Sequence, residues 1–306
     1  MNVLIVGLGS IGLKHYNALK AINKNINVLA LRSKKNCNKI EGVSNIFSLK
    51  EIEFTIDFAI ISNPTFHHFK TIENLISLNI PLMIEKPVSN NFNGSEKLEK
   101  LIKQENIITY VACNLRFHPC IKFLKKEIKN LLEEINEVNI YCGSYLPDWR
   151  PGLNYKNVYS SINSMGGGVH LDLIHELDYA SWIFGSPNQN HCSLTSKSNL
   201  NIDSNDYANY LLEYNNFNIS IILNYYRPIA KRTIEIIFSN DIWEVDLLKN
   251  TIKNMSNDII FQCKDYNIIN TYESQLKYFI LCIEQNIKPM NSFKESLNIL
   301  KICLSK

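Results

Sequence analysis

The segment Val3-Leu-Ile-Val-Gly-Leu-Gly-Ser-Ile-Gly-Leu-Lys-His15 constrains this chain more than any other. Val3 to Val6 read as a buried strand, and Gly7, Gly9 and Gly12 fit G-x-G-x-x-G. Each glycine has a physical task. Gly7 permits the sharp turn, Gly9 lets the backbone approach a pyrophosphate with no Cβ in the way, and Gly12 lets the next helix pack closely on the strand. That helix opens near Ser10 and Ile11, turning its N–H groups and positive dipole end toward phosphate. A second strand, Ile26 to Leu31, follows. The alternative is an ordinary glycine-rich turn between strand and helix. Glycine is otherwise used sparingly: Gly7, Gly9, Gly12 and the run Gly166-Gly167-Gly168 make six of the 11 in the chain.

At 306 residues the chain has room for two domains and large cores. Hydrophobic residues are 45% and charged residues 20%, which suits a soluble globular protein. A net charge of +3 argues against a dedicated nucleic-acid binder. No apolar run reaches membrane-spanning length, so no membrane partner is expected. The N-terminus enters a strand without the pattern of a signal peptide, which predicts a cytoplasmic location. Eight cysteines (37, 113, 120, 142, 192, 263, 282, 303) are scattered without a C-x-x-C pair. We therefore expect no metal site and read most of them as reduced, buried, small apolar residues.

The strand ending at Leu31 is followed by Arg32-Ser33-Lys34-Lys35. An acidic residue at this strand end accepts hydrogen bonds from the ribose hydroxyls of NAD. A guanidinium there binds a 2′-phosphate instead, so the sequence predicts NADP in preference to NAD. The alternative is a solvated charge run. Strands are predicted at Ser44 to Phe47, Ile56 to Ser62, Ile80 to Ile84 and Ile108 to Ala112. Helices are predicted from Asn63-Pro64-Thr65 through about Leu78, and over Asn93 to Glu105. This alternation predicts a parallel sheet with right-handed crossovers. Lys86 follows a buried strand at the carboxyl edge of that sheet, a good place to meet a substrate.

Beyond a helical segment at about Pro119 to Glu134, the pattern becomes strand after strand. These are Glu137 to Tyr145, Tyr207 to Tyr214, Ile219 to Tyr226, Arg232 to Phe238 and Ile242 to Asp246. Short turns between them predict antiparallel pairing. One long helix is predicted from the glycine triplet through about Phe184, ending at Gly185. The last helices, about Glu273 to Glu284 and Phe293 to Ser305, are expected to pack back on the first domain or the hinge. The predicted domains are residues 1–118 and 119–306.

The ordered motifs now assembled resemble the Gfo/Idh/MocA oxidoreductase family. They are the glycine turn, Asn63-Pro64-Thr65-x-x-His68, Glu85-Lys86-Pro87, and Gly166-Gly-Gly-Val-His-Leu-Asp172-Leu-Ile-His175-Glu-Leu-Asp178. A late Tyr272-Glu-Ser-Gln-Leu-Lys-Tyr-Phe279 helix start completes the set. The resemblance implies an α/β fold: an N-terminal Rossmann domain with a doubly wound parallel sheet, and a C-terminal α/β domain on a large open antiparallel sheet. It implies hydride exchange between NADP or NAD and a hydroxyl or carbonyl carbon of a sugar or related compound. The implied cofactor residues are Gly7, Gly9, Ser10, Ile11, Gly12, Arg32, Ser33, Asn63, Pro64, Thr65, His68, Glu85, Lys86 and Arg116.

Hydride transfer from an alcohol needs a base for the hydroxyl proton, and its reversal needs an acid. The candidates are Lys86, Asp172 and His175. Asp172 and His175 are three apart on the predicted helix and so share a face. By resemblance, His175 is the acid/base, Asp172 orients the substrate or tunes the histidine, and Lys86 bridges substrate and nicotinamide. Many family members space the Asp and His by four residues, which brings His170 into contention here. Read singly, Asp172 could be a helix-start residue, His175 a satisfied core histidine and Lys86 a solvated lysine.

The loop Ser144-Tyr145-Leu146-Pro147-Asp148-Trp149-Arg150-Pro151, with Tyr155, Tyr159 and Ser160 beyond it, offers aromatics and a cation. Trp149, Arg150, Tyr159 and Arg116 suit a sugar face and an anionic group. The loop resembles members of the family encoded with surface-glycan genes, some of which handle nucleotide-linked or acidic sugars. Alternatively, it only packs Trp149 on the sheet. The open sheet face needs cover, which predicts a homodimer or homotetramer. A competing reading is a non-catalytic NAD(P)-binding redox or metabolite sensor.

Overall fold

Apolar runs and glycine turns alternate in the first third of the chain, and strands and helices follow them. The computed structural model describes residues 1–36 and 38–305. Its first elements are β1 (Asn2–Val6), α1 (Ser10–Ile22), β2 (Asn27–Leu31), β3 (Val43–Ile46), β4 (Phe58–Ile61), α2 (His68–Ile76), β5 (Leu82–Ile84), α3 (Ser95–Gln104) and β6 (Thr109–Val111). The strands pair in parallel in the order β3-β2-β1-β4-β5-β6. The chain builds β2 and β3 on one side of β1, then crosses from β3 to place β4, β5 and β6 on the other. This is the switch point of a doubly wound sheet, where ligands bind at the strands' carboxyl ends. Val3, Leu4, Ile5, Ala59, Ile60 and Ile61 have no exposed surface, as strands covered on both faces require.

The next elements are α4 (Pro119–Glu127), β7 (Ile135–Tyr145), α5 (Val169–Asp172), α6 (His175–Phe184), β8 (Gln189–Thr195), β9 (Tyr207–Glu213), β10 (Asn218–Asn224), β11 (Tyr226–Phe238), β12 (Ile242–Asp246), β13 (Thr251–Lys253) and β14 (Ile259–Gln262). Their sheet runs β14-β13-β12-β11-β7-β10-β9-β8. It is antiparallel except where β10 lies parallel to β7. The reason is geometric. β10 and β11 run in opposite directions but flank β7 instead of each other, so one of them must parallel it. Along β7, Val138, Ile140 and Cys142 are buried while Asn139 and Tyr141 stay partly exposed, leaving one polar face. The last helices are α7 (Asn270–Glu284) and α8 (Phe293–Cys303).

Two compact units result. Residues Met1–Asn114 and Asn267–Asn298 form the first, and Leu115–Tyr266 with the chain from Ile299 onward form the second. α7 therefore completes the core of the first unit. Phe279 has no exposed surface; its ring meets Phe58 edge-on at 5.5 Å and stacks on Tyr110 at 5.8 Å.

Two expectations about helices need correction. The segment predicted as helical to Glu134 ends its α-helix at Glu127 and continues as single 3-10 turns. The predicted long helix from the glycine triplet is two helices, because Leu173 (φ −100°, ψ 30°) leaves the helical region between them. Asp172 ends α5 and His175 begins α6, so they do not share the face of one helix. α6 does stop at Gly185, whose φ is +90°. The strands β8, β13 and β14 also went unforeseen.

The seven described cysteines are free thiols; Cys113, Cys120, Cys142, Cys282 and Cys303 are buried, and Cys192 and Cys263 partly exposed. Cys37 lies outside the described residues. Among those residues no helix is long and apolar enough to cross a membrane. Removing the Phe279 ring, by Phe279→Ala, is expected to cost about 3–5 kcal/mol of stability in denaturant unfolding. A loss below about 1 kcal/mol would contradict the packing described.

Candidate active site

The turn after β1 is held by backbone proximity. A Cβ on Gly12 would stand 2.4 Å from the Gly7 carbonyl oxygen, so any side chain there forces α1 off β1. The Ser62 hydroxyl, just past β4, donates to that same carbonyl at 2.6 Å. Gly9 is the opposite case: among the described residues a Cβ there would meet nothing within 4 Å, so the turn is open on that side. Among the described residues no side chain caps the start of α1, and its first turn holds no acidic residue. The exposed Ser10 and the half-buried Ile11 begin the helix, leaving its first N–H groups for an external acceptor. These features fit a dinucleotide pyrophosphate.

At the end of β2, the Arg32 N–H donates to Ile46 O at 2.9 Å, while Nη1 of its side chain is buried without a hydrogen-bond partner among the described residues. A buried guanidinium nitrogen in that condition fits an anion. Ser33 beside it is exposed.

Asn63 lies against Gly7, and its amide donates to Thr71 Oγ1 at 2.8 Å. Pro64 precedes a 3-10 turn begun by the buried Thr65. His68, at the start of α2, is buried. Its Nδ1 lies 3.0 Å from the Pro87 carbonyl and its Nε2 3.0 Å from that of Asn63. Burial lowers its pKa, against the pull of those carbonyls and of Glu85. The neutral ring thus donates to one carbonyl at a time.

Glu85 is also buried, and His15 of α1 donates to its Oε1 at 2.6 Å. Oε2 accepts the Lys86 backbone N–H at 3.1 Å. Burial opposes the charged carboxylate, but the His15 hydrogen bond and the charges of His15 and Lys86 outweigh it and hold the pKa below the usual carboxylate value. Lys86 itself is half-buried. The first unit thus brings together the glycine turn, Asn63, His68, Glu85 and Lys86.

In the second unit, Asp172 is 5% exposed and both its oxygens are engaged. Tyr159 donates to Oδ1 at 2.7 Å and Tyr225 to Oδ2 at 2.5 Å. Burial, with the Asp172 charge beside them, pushes both phenol pKa values well up, so both stay donors. Tyr159 reaches Asp172 because Gly167 has no side chain: a Cβ there would stand 2.2 Å from the Tyr159 carbonyl. The Arg150 guanidinium lies over the Tyr159 ring at 5.0 Å. Trp149 donates to Ser144 Oγ at 2.8 Å and meets Tyr225 edge-on at 5.2 Å. His175, half-buried, opens α6 three residues after Asp172.

His170 is buried, and burial pushes its pKa down to about 4 despite the opposing charge of Asp172. Arg116 is 5% exposed; its Nε and Nη2 bind the two oxygens of Asp178 at 2.9 and 2.6 Å, and it lies over Trp182. Its charge is answered inside this unit. A cavity of about 650 Å³ is lined by Tyr145, Tyr155, Lys197, Asp206, Tyr207 and Tyr226, but not by Asp172 or His175. Sequence reasoning had missed His15, Tyr225, and Glu176 with its partner Arg232. For His15 a signal existed: with Gly12 and Leu19 it falls on the buried stripe of α1.

Comparison with known proteins agrees with this architecture. The sequence profile for the oxidoreductase family's NAD-binding Rossmann fold matches residues 1–113, and that for its C-terminal alpha/beta domain matches residues 125–237. The chain belongs to the Gfo/Idh/MocA oxidoreductase family. It is 23% identical over 145 residues to the rhizopine catabolism protein MocA of Rhizobium meliloti, across 47% of this chain and 43% of that protein. The match thus spans less than half of that curated relative. Levoglucosan dehydrogenase in complex with NADH shares the fold, with a TM-score of 0.84 at 16% identity over 99% of this chain and 95% of the other. UDP-N-acetylglucosamine 3-dehydrogenase from Acidithiobacillus ferrooxidans does so with a TM-score of 0.78 at 17% identity, over the same shares.

The depressed pKa of His170 sets a pH dependence. Its folded value lies below the ordinary 6.5, so the unfolded chain binds the proton first as pH falls. Stability from this group is therefore flat above about pH 6.5 and lost between there and about 4. NMR of the imidazole carbons should show a His170 midpoint near 4; a midpoint near 6.5 would contradict its burial as a neutral ring.

Proposed function

We propose that this chain is an NAD(P)-dependent oxidoreductase that moves hydride between nicotinamide and a hydroxyl or carbonyl carbon of a sugar or sugar derivative. One observation carries the reading: a buried carboxylate, Asp172, gripped by two tyrosine hydroxyls, stands three residues ahead of the half-buried imidazole of His175. That is a preorganised polar group beside an acid/base suited to neutral pH.

Nicotinamide, when bound, supplies the hydride acceptor or donor. The chain's residues do the rest. An imidazole nitrogen of His175 takes the proton from the substrate hydroxyl oxygen in oxidation and returns it in reduction. The Lys86 ammonium stabilises charge developing on that oxygen. Asp172, held by Tyr159 and Tyr225, fixes a neighbouring hydroxyl. Gly7, Gly9, Ser10, Ile11 and Gly12 cradle the pyrophosphate, with Asn63, Pro64, Thr65 and His68 shaping the adjoining wall. Arg32 takes the 2′-phosphate, which makes NADP the preferred cofactor. We assign Arg116 to holding Asp178 and Glu85 to holding Lys86, not to direct cofactor contact.

The substrate class extends, on this reading, to a nucleotide-linked or acidic sugar of surface-glycan biosynthesis, with Arg150 meeting the anionic group. The sugar enzymes among its relatives support a polyhydroxylated substrate. The polar face of the eight-stranded sheet is proposed to be covered by a second copy, giving a homodimer or homotetramer in the cytoplasm.

Fluorescence titration should show NADPH binding at least about tenfold more tightly than NADH, with Arg32→Ala erasing the difference. Tighter NADH binding would overturn the role of Arg32. Nicotinamide absorbance should then be followed with NADP or NAD against levoglucosan and UDP-N-acetylglucosamine. With whichever is turned over, His175→Ala and Lys86→Ala should each cut turnover at least about tenfold and leave dinucleotide binding intact. Unchanged turnover in both variants would remove the assignment, and dinucleotide binding without turnover on any sugar would favour a sensor.

A further inference from the structure

The second unit holds a cavity that neither Asp172 nor His175 lines. It measures about 650 Å³, within the range of small-molecule sites. One end of the eight-stranded sheet builds it. Tyr145 closes β7, Tyr207 opens β9 and Tyr226 opens β11, with Tyr226 and Tyr145 opposite each other in register. Cys142 of β7 and Ala208 of β9 are buried, so strand alternation turns Tyr145 and Tyr207 to the other, polar face. Neighbouring tyrosines divide the two places: Tyr225 donates to Asp172, while Tyr226 lines the cavity. Tyr155 joins the wall and spends its hydroxyl on the Leu200 carbonyl at 3.1 Å.

Asp206 and Lys197 complete the wall that matters here. Asp206 is 1% exposed. Its Oδ2 accepts the Ser198 N–H at 3.0 Å and the Ser198 hydroxyl at 2.6 Å, while Oδ1 is buried with no hydrogen-bond partner among the described residues. A buried carboxylate oxygen without a donor is costly, and a ligand hydroxyl would supply one. Burial, with Tyr207, Tyr141 and Asp206 nearby, raises the Tyr226 pKa, so its phenol stays a neutral donor. The charges then decide the class of ligand. Asp206 opposes an anion and Lys197 opposes a cation, which leaves a neutral molecule. Tyrosine rings offer apolar faces beside polar hydroxyls, and a sugar ring matches them with C–H faces and hydroxyls of its own.

We propose that this cavity is a second saccharide site, taking a neutral pyranose against the tyrosine rings with one hydroxyl donating to Asp206 Oδ1. The site stands at strand ends, at the rim of the polar face assigned above to a second copy. It needs neither dinucleotide nor hydride transfer.

Saturation-transfer NMR on the intact protein, without dinucleotide, tests it. The probes are the methyl pyranosides of glucose, galactose and N-acetylglucosamine at millimolar concentration, with choline as a cation. At least one pyranoside should bind, and choline should not. Tyr226→Ala should weaken that pyranoside at least about fivefold, while Tyr226→Phe, which keeps the ring, should stay within about twofold. Asp206→Asn should weaken it about tenfold. Asp172→Asn, at the other site, should leave it within about twofold. A pyranoside signal lost in Asp172→Asn and kept in Tyr226→Ala would put the sugar at the candidate active site and overturn the proposal. Choline binding in place of the pyranosides would overturn it in favour of a cation site. No pyranoside binding at all, as when a second copy fills the cavity, would overturn it too. Tyr226 is 38% exposed, so its replacement spares the core; if Asp206→Asn does not fold, the two Tyr226 variants decide. Absence of turnover on every sugar would count against the oxidoreductase reading and leave this result standing.

Discussion

The seat of α1 on β1 is fixed by a contact with no room for a carbon atom. With Gly12 this close to the Gly7 carbonyl, the helix can stand in only one place. Three consequences follow from that placement. The first turn of the helix points its N–H groups out of the sheet edge. The outward side of the turn at Gly9 stays clear. One turn further on, His15 arrives against Glu85 at the end of β5, two strands away from β1 in the sheet. A dense backbone contact thus becomes a side-chain position beside Lys86. Such close packing transmits placement because well-packed interiors give little.

In the second unit, ion pairs play the corresponding part. The first turn of α6 carries Glu176 and Asp178 along with His175. Arg232 of β11 holds Glu176 at 2.6 Å, and Arg116 holds Asp178 with a two-pronged contact. Both carboxylates are almost wholly buried. Removing either arginine would strand a charge in the core, which is far costlier than the pair itself is stabilising. The helix start that presents His175 is therefore pinned from two sides, and both carboxylates also favour its dipole.

Much of the first unit was legible in the sequence because its strands are covered on both faces, so they read as unbroken apolar runs bounded by glycine and proline. The second unit was harder. β8, Gln189-Asn-His-Cys-Ser-Leu-Thr195, is an edge strand with no fully buried residue, so it carries no apolar signature. β14 lies at the other edge. The break at Leu173 leaves no mark in composition, since a leucine suits either side of it. At the candidate site, Lys86, Asp172 and His175 stood out through their motifs. The partners that hold them did not. Tyr225 lies 53 residues from Asp172 and His15 lies 70 from Glu85, and only the fold supplies such pairings. Arg116 was read as a cation at a strand end suited to an anion, while the carboxylate that it grips, Asp178, already stood in the motif and only the fold pairs the two.

The first unit takes its last piece from far along the chain. Phe279 and Tyr272 of α7 fill space against Phe58, Tyr110 and His15, yet they are synthesised more than 150 residues after β6. During translation the first unit therefore waits, with the apolar side of its sheet uncovered, while Leu115–Tyr266 of the second unit are made. Its completion depends on a contact of high sequence separation, which slows folding. The order of synthesis thus leaves an apolar sheet face uncovered through most of translation, a state open to aggregation on the ribosome.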